Sequence, residues 1–215
     1  MPRPTSPLLS GGRMLRAGLE IIDSEGLEAL SMRRLAQHLG VRAASLYNHV
    51  ATKDELLQAI AEEVMSSVDV SGFELDWATG LRTWARSYRA ALAAHPNLVP
   101  FLASGPARRE TALQRADAVH GGLTRAGWPQ RYATMIGAST KYLVVGAALG
   151  SFSAGFVDDA EVYSDRFPHL DQAHLLREHA EDIDNNSFEL ALEALVDGLR
   201  QLHPRLVAGA GGPAQ

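Results

Sequence analysis

Apolar residues recur at three- and four-residue spacing along most of the chain, the period of helices with one buried face. Leu15, Leu19 and Ile22 predict a first helix that Gly26 ends. Leu35 and Leu39 stripe a second helix, opened by Ser31, whose hydroxyl suits an N-cap. Gly40 supplies the permissive backbone of a sharp turn, Val41 plugs the corner, and Leu46 and Val50 stripe the next segment. Thr52 and Glu55 form a capping box that starts a fourth helix at Lys53, with Leu56, Ile60 and Val64 inward. Ser71 to Glu74 reads as a connection. Beyond it, Leu81, Trp84, Tyr88 and Leu92 share one face of a helix over 77–94, closed by His95 and Pro96. A short helix over 98–103 follows, then one over 108–126 ended by Gly127. A long apolar helix runs from Pro129 to about Gly155, and Ser187 caps a last one reaching about Leu202, stopped by Pro204. The polar stretch 156–186 reads as a loop with a short helix. No alternating strand pattern occurs, so the expected fold is all-α.

The two segments around Gly40 have the outline of a helix-turn-helix. Leu46 and Val50 face inward, while Arg42, Ser45, Tyr47, Asn48 and His49 face outward, as on a helix that enters a DNA major groove. Charge agrees with this. The chain carries a net −5, yet residues 1–53 hold seven Lys/Arg against four Asp/Glu, and no acidic residue occurs from Ala29 to Lys53. Arg33, Arg34, Arg42 and Lys53 all fall in that window. Phosphate neutralisation dominates DNA affinity, so the local sign outweighs the total. The expected organisation is a flexible arm over 1–12, a helix-turn-helix DNA-binding domain over 13–68, a larger C-terminal helical domain over 69–204, and a disordered tail over 205–215. The fourth helix, 53–68, is the expected lever between the domains.

Composition removes several alternatives. The chain has no cysteine, which excludes disulfides and thiolate metal sites and suits the cytoplasm. No apolar run reaches the roughly 18 residues of a membrane span, so no membrane partner is expected. His169, His174 and His179 are spaced by five, not the three or four that align ligands on a helix, and no metal is expected. The run GSFSAG at 150–155 is one residue out from a nucleophile elbow, and GASTK at 137–141 lacks the glycines of a phosphate loop. No catalytic residue and no cofactor are expected, and the chain is read as a non-enzyme.

Residues Leu15 to Val64 resemble the DNA-binding domain of the TetR family of bacterial repressors. The run LYNHV at 46–50, followed by Lys53, Leu56 and Leu57, fits the family pattern L-Y-x-H/Y-F/V-x-x-K-x-x-L-L. The rest of the chain is similar to the regulatory domain of the tetracycline-repressor branch, through Trp77 with Tyr88, the run HPNLVPFLASGP, and FELALEALVDGL from Phe188 to Leu199. The resemblance implies a ligand-responsive regulator, most simply a repressor that binds a palindromic operator in double-stranded DNA as a homodimer and leaves it on binding a small molecule. An activator, or a repressor without any ligand, fits the same motif. On DNA it implies that Tyr47, His49 and Lys53 hold phosphates, that Arg33 contacts backbone or base, and that Arg42, Ala43, Ala44, Ser45 and Asn48 face the bases. Arg42 suits a bidentate guanine contact or a phosphate, and Asn48 an adenine or a phosphate. Ala43–Ala44 stands where the tetracycline repressors have glutamine–proline, and Asn48 where they have tryptophan, so their operator does not carry over.

The apolar middle of the long helix, with Gly146, Ala147, Gly150, Ser151 and Ala154, would allow close helix approach. Together with Phe188, Leu192, Leu195 and Leu199 it suits the four-helix dimer interface of the resembled family. The small residues would serve equally inside one subunit. Trp84, Tyr88, Phe101 and Met135 suit the apolar walls of a ligand pocket, and Asp69, Ser104, Asp117 and His120 its polar anchors. Each also fits an ordinary core position. Phe101 falls where the tetracycline repressors place a metal-binding histidine, Trp84 at a drug-contacting asparagine, Asp69 at another histidine, and Asp117 at a glutamine. Phenylalanine cannot ligate Mg²⁺, so a tetracycline–Mg²⁺ effector is not expected.

Overall fold

The computed structural model describes residues 10–104, 110–164 and 166–210, the side chains of 104, 209 and 210 excepted. Among the described residues the regular structure is α-helix and short 3-10 turns, with no strand. The α-helices are α1 (Gly11–Glu25), α2 (Met32–Leu39), α3 (Ala43–Leu46), α4 (Lys53–Met65), α5 (Trp77–Ala94), α6 (Val99–Ser104), α7 (Glu110–Arg125), α8 (Gln130–Ala148) and α9 (Ala180–Ala210). They sort into two compact units. One takes residues up to Val68 together with Ala90–Ala116; the other takes Asp69–Arg89 and the chain from Asp117 onward. The first unit thus includes a segment, 90–116, that sequence reading assigned to the C-terminal domain.

In the first unit α1 packs on α2 and α4, and α2 on α3. Met14, Ile21, Ile22, Leu30, Leu35, Leu46, Leu56 and Ile60 form its fully buried centre. The inward stripe of α1 is Met14, Ala17, Gly18, Ile21 and Ile22, rotated from the expected one, since Leu15 and Leu19 are half-buried. Residues 1–9 of the expected arm lie outside the described residues. Gly11 and Gly12 correct the rest of it: they belong to α1, because the Ser10 hydroxyl accepts the Arg13 N–H at 3.3 Å and caps the helix there.

In the second unit, α5 begins where the Asp76 carboxylate accepts the N–H groups of Ala78 and Thr79, at 2.8 and 2.9 Å. The Thr79 hydroxyl donates to the same side chain, and these bonds hold the Asp76 carboxyl below the usual carboxylate range. The connector Ser71–Glu74 is seated by Phe73, buried in a slot floored by Gly80 of α5 and Gly122 of α7. A β-carbon on either glycine would stand 2.3 or 2.5 Å from the ring, so the slot exists only because both positions lack one.

Two helices, α8 and α9, depart most from their expected bounds. The long apolar helix ends at Ala148, and residues 152–155 form a 3-10 turn. There the Ser151 hydroxyl accepts the Ser153 N–H, and Asp184 accepts the Phe152 N–H at 3.1 Å. Side-chain oxygens thus offer that backbone partners other than a helix ladder. The last helix starts at Ala180 rather than at Ser187 and runs through Pro204 to Ala210, so residues 205–210 of the expected disordered tail are helical. Contacts on both sides of the proline account for it. The His203 ring packs against Trp128, centroids 4.7 Å apart and tilted by 56°, its Nε2 lies 2.8 Å from the Ala126 carbonyl, and Val207 covers Gly127. Glu181 and Asp182 in the first turn favour the early start through the helix dipole.

Candidate nucleic-acid interface

The reading elements are built as the sequence implies. Ser31 caps α2 by accepting the Arg34 N–H at 3.1 Å. At the other end of α2, Gly40 takes φ +67°, the left-handed region that suits glycine. Its N–H reaches the Gln37 carbonyl and the Val41 N–H reaches that of Ala36, so the orphan carbonyls are met and the chain reverses sharply. At the start of α4 the Glu55 N–H donates to Thr52 Oγ1 at 3.0 Å, as the capping box requires, while Glu55 Oε2 accepts the N–H of Ala51, the residue before the cap, at 2.7 Å.

This framework leaves a polar outer surface. Leu46 and Val50 are buried, while Arg33, Arg42, Ala44, Asn48 and His49 are exposed and Ala43, Ser45 and Lys53 half-buried. Tyr47 is 53% exposed, so its ring lies at the surface instead of filling the core. The regular part of α3 is only Ala43–Leu46; Arg42 is its N-cap, in extended conformation, and Tyr47–His49 form a turn. Among the described residues, Arg33, Arg42 and Lys53 make no ion pair with a carboxylate. Arg34 differs. Glu25, just outside the acid-free window, forms a two-pronged hydrogen bond with it, which holds the Glu25 carboxyl below and the Arg34 guanidinium above their usual ranges. Arg34 is therefore a brace between α1 and α2, not one of the cations the basic window offers.

The expected pocket residues lie on several elements. Trp84 and Tyr88 meet on α5, ring centroids 6.2 Å apart and tilted by 34°, with Tyr88 buried. His120 of α7 is half-buried. Phe101 belongs to the other compact unit, and the Ser104 side chain lies outside the described residues. Asp69 is exposed and clips the connector instead: its N–H donates to Ser87 Oγ at 2.9 Å, and its carboxylate accepts the Ser71 N–H at 2.8 Å, which lowers its pKa. Asp117 is exposed, and Met135 lies 49% exposed on the outer side of α8.

The dimer residues divide in the same way. Gly146 is exposed and Ala147 half-buried on α8, whereas Gly150, Ser151 and Ala154 fall beyond the helix and cannot form a helix-packing stripe. Phe188, Leu192 and Leu199 are buried in the chain's own core, with Leu195 half-buried. The outward apolar positions are others. Met135 and Tyr142 lie two turns apart on α8, with Leu149 at its C-cap, and Leu190 and Ala194 lie one turn apart on α9; Tyr142 and Leu190 are each 74% exposed.

Sequence reading missed one cluster whose spacing was visible. Arg82 and Arg86 lie four apart on α5, and Glu189 and Glu193 four apart on α9. Arg82 grips Glu193 at 2.5–3.0 Å and Arg86 bridges both glutamates, while Arg89 lies 4.8 Å over the Phe188 ring. The Arg82 hydrogen bond holds the Glu193 carboxyl below its usual range.

Comparison with known proteins gives two family matches. Residues 14–60 match the family model described as bacterial regulatory proteins, tetR family, and residues 73–203 the one described as tetracyclin repressor-like, C-terminal domain. Among curated relatives, the class A tetracycline repressor of Escherichia coli transposon 1721 is 32% identical, covering 94% of this chain and 96% of its own. An HTH-type transcriptional regulator of Saccharopolyspora erythraea is 30% identical over 77% of this chain and 71% of its own. Among solved structures, Streptomyces coelicolor ActR in complex with (S)-DNPA superposes with a TM-score of 0.72 at 30% identity, covering 91% of this chain and 99% of that one.

Proposed function

The chain belongs to the TetR family of DNA-binding transcriptional regulators, and from that premise we propose that it is a repressor that grips a palindromic operator as a homodimer and lets go when a small molecule other than tetracycline–Mg²⁺ binds its C-terminal domain. The observation that carries the DNA part is the exposed set Arg33, Arg42, Tyr47, Asn48 and His49 with Lys53 beside it, held on a capped, tightly turned framework. In this reading Tyr47, His49 and Lys53 fix register on phosphates, and Arg42, Ser45 and Asn48 meet base edges.

Two copies are favoured by the outward face of α8 and α9. Tyr142, Leu149 and Leu190 are water-exposed apolar side chains, with exposed Gly146 and Ala194 on the same two helices, and a second copy would cover them. A two-fold assembly would read a palindrome with half-sites one helical turn apart, or a multiple of it.

The effector is read as an aromatic or largely apolar compound. Trp84 and Tyr88 supply a tilted aromatic pair in the second unit, and Phe101 occupies the place of the repressors' metal-binding histidine. ActR, a similar protein, is solved with (S)-DNPA bound. Release would be a population shift, limited to the ligand's differential affinity for two arrangements of the dimer. The test is fluorescence anisotropy on a duplex selected from random DNA by the protein itself. Affinity that falls steeply with salt is expected, and tetracycline with Mg²⁺ is expected to leave the complex intact; release at micromolar tetracycline overturns the effector assignment.

A further inference from the structure

The last turn of α1 is tied from two sides. Toward α2, Glu25 pairs with Arg34, and Glu20 Oε2 lies 3.0 Å from His38 Nε2. The corner between α5 and α6 reaches the same turn from elsewhere in the sequence. His95 Nδ1 lies 2.9 and 3.1 Å from the two Asp23 carboxylate oxygens, and Asn97 Nδ2 donates to the carbonyls of Ile22 and Asp23, each at 3.0 Å. A helix leaves its final carbonyls without intrahelical donors. The Gly26 N–H meets one of them, on Ile22, and Asn97 serves both. Asn97 thus caps α1 from about seventy residues away in sequence. Arg115, with Glu62 of α4 at 2.8 Å, is a further tie from the same segment. These bonds explain why 90–116 belongs to the compact unit that carries the helix-turn-helix.

We propose that His95 and Asn97 are positioning residues for DNA recognition. They touch no base. They fix the end of α1, and α1 in turn holds α2 through Glu20 and Glu25, so the angle at which Arg33, Arg42 and Asn48 meet a groove depends on the α5–α6 corner. The proposal stands on the DNA-binding function of the family and does not need a ligand response.

The test uses the full chain, a labelled duplex selected from random DNA by the wild type, and a scrambled duplex of equal length. Asn97→Ala and His95→Ala are each expected to weaken the selected duplex about threefold to tenfold, the worth of one or two hydrogen bonds. The scrambled duplex is expected to change less than about twofold, and the slope of log affinity against log salt to stay put, because no phosphate contact is lost. Asn97→Asp keeps the shape but removes the donors, and is expected to behave like the alanine variant. The exchange of Asp23→His with His95→Asp is expected to restore the discrimination lost in His95→Ala. Variants that lose thermal stability yet keep the wild-type ratio of selected to scrambled affinity overturn the proposal, and so does an exchanged pair that recovers nothing. A wild type that enriches no sequence overturns the DNA reading itself, a failure distinct from either.

Discussion

Arginine placement carries most of the meaning at the scale of single residues. Two neighbours, Arg33 and Arg34, look alike in the sequence, but only Arg34 is consumed by a carboxylate, because Glu25 comes to it across a helix contact. Sequence spacing identified the basic window and the outward residues of α3; it could not tell a bracing cation from one turned to solvent, since that depends on where α1 ends. Arg42 sits exposed at the N-cap of α3, ahead of the bases its side chain would read. Arg42→Ala is expected to cost about 1–3 kcal/mol on the selected duplex and to relax preference at one base pair. Binding measured across single-base variants checks this: equal weakening on every sequence would reassign Arg42 to a phosphate. Asp69, by contrast, stands at a position that resemblance gave to a ligand and is used here to clip a connector.

At the scale of elements, close approach decides what composition cannot. Gly80 and Gly122 are unremarked in the sequence, yet they make the slot that seats Phe73. Gly122→Ala forces a methyl against that ring and is expected to destabilise the chain by about 1–3 kcal/mol, read as a lower thermal midpoint. A midpoint within a degree of wild type would mean that the ring has room to move. The ladder between α5 and α9 makes a pH prediction. The Arg82 hydrogen bond lowers the folded-state pKa of Glu193, so the unfolded chain takes up the proton first as pH falls. The pair's contribution is complete above the ordinary glutamate range, about 4.3, and disappears as pH falls through the lower folded value. Thermal midpoints measured from neutral to acid pH are expected to fall less steeply in Glu193→Gln than in wild type; parallel curves would remove the pair from the acid response. Pro204 teaches the same lesson about elements. Its missing N–H argued for a helix end, but His203 and Val207 pack on either side of it and the helix continues.

For the whole molecule, the proposed dimer rests on the exposed apolar side chains of α8 and α9. Leu190→Arg and Tyr142→Glu place charge at two of them without touching the residues buried in the chain's own core. Each is expected to shift the protein toward monomer in sedimentation at micromolar concentration and to weaken the palindromic duplex far more than a half-site. A dimer that survives both substitutions would move the interface elsewhere.

Local chemistry was enough to specify the all-α class, the capped starts of α2 and α4, the turn at Gly40 and the outward face of the reading segment, because caps, turns and stripes depend on residues within about four positions of one another. The membership of 90–116 in the DNA-reading unit, the bracing of Arg34, the passage of α9 through Pro204 and the inward turn of Phe188, Leu192 and Leu199 were settled only by tertiary structure. Each rests on a partner dozens of residues away or on a β-carbon that is absent, and neither leaves a mark in the local period of the chain.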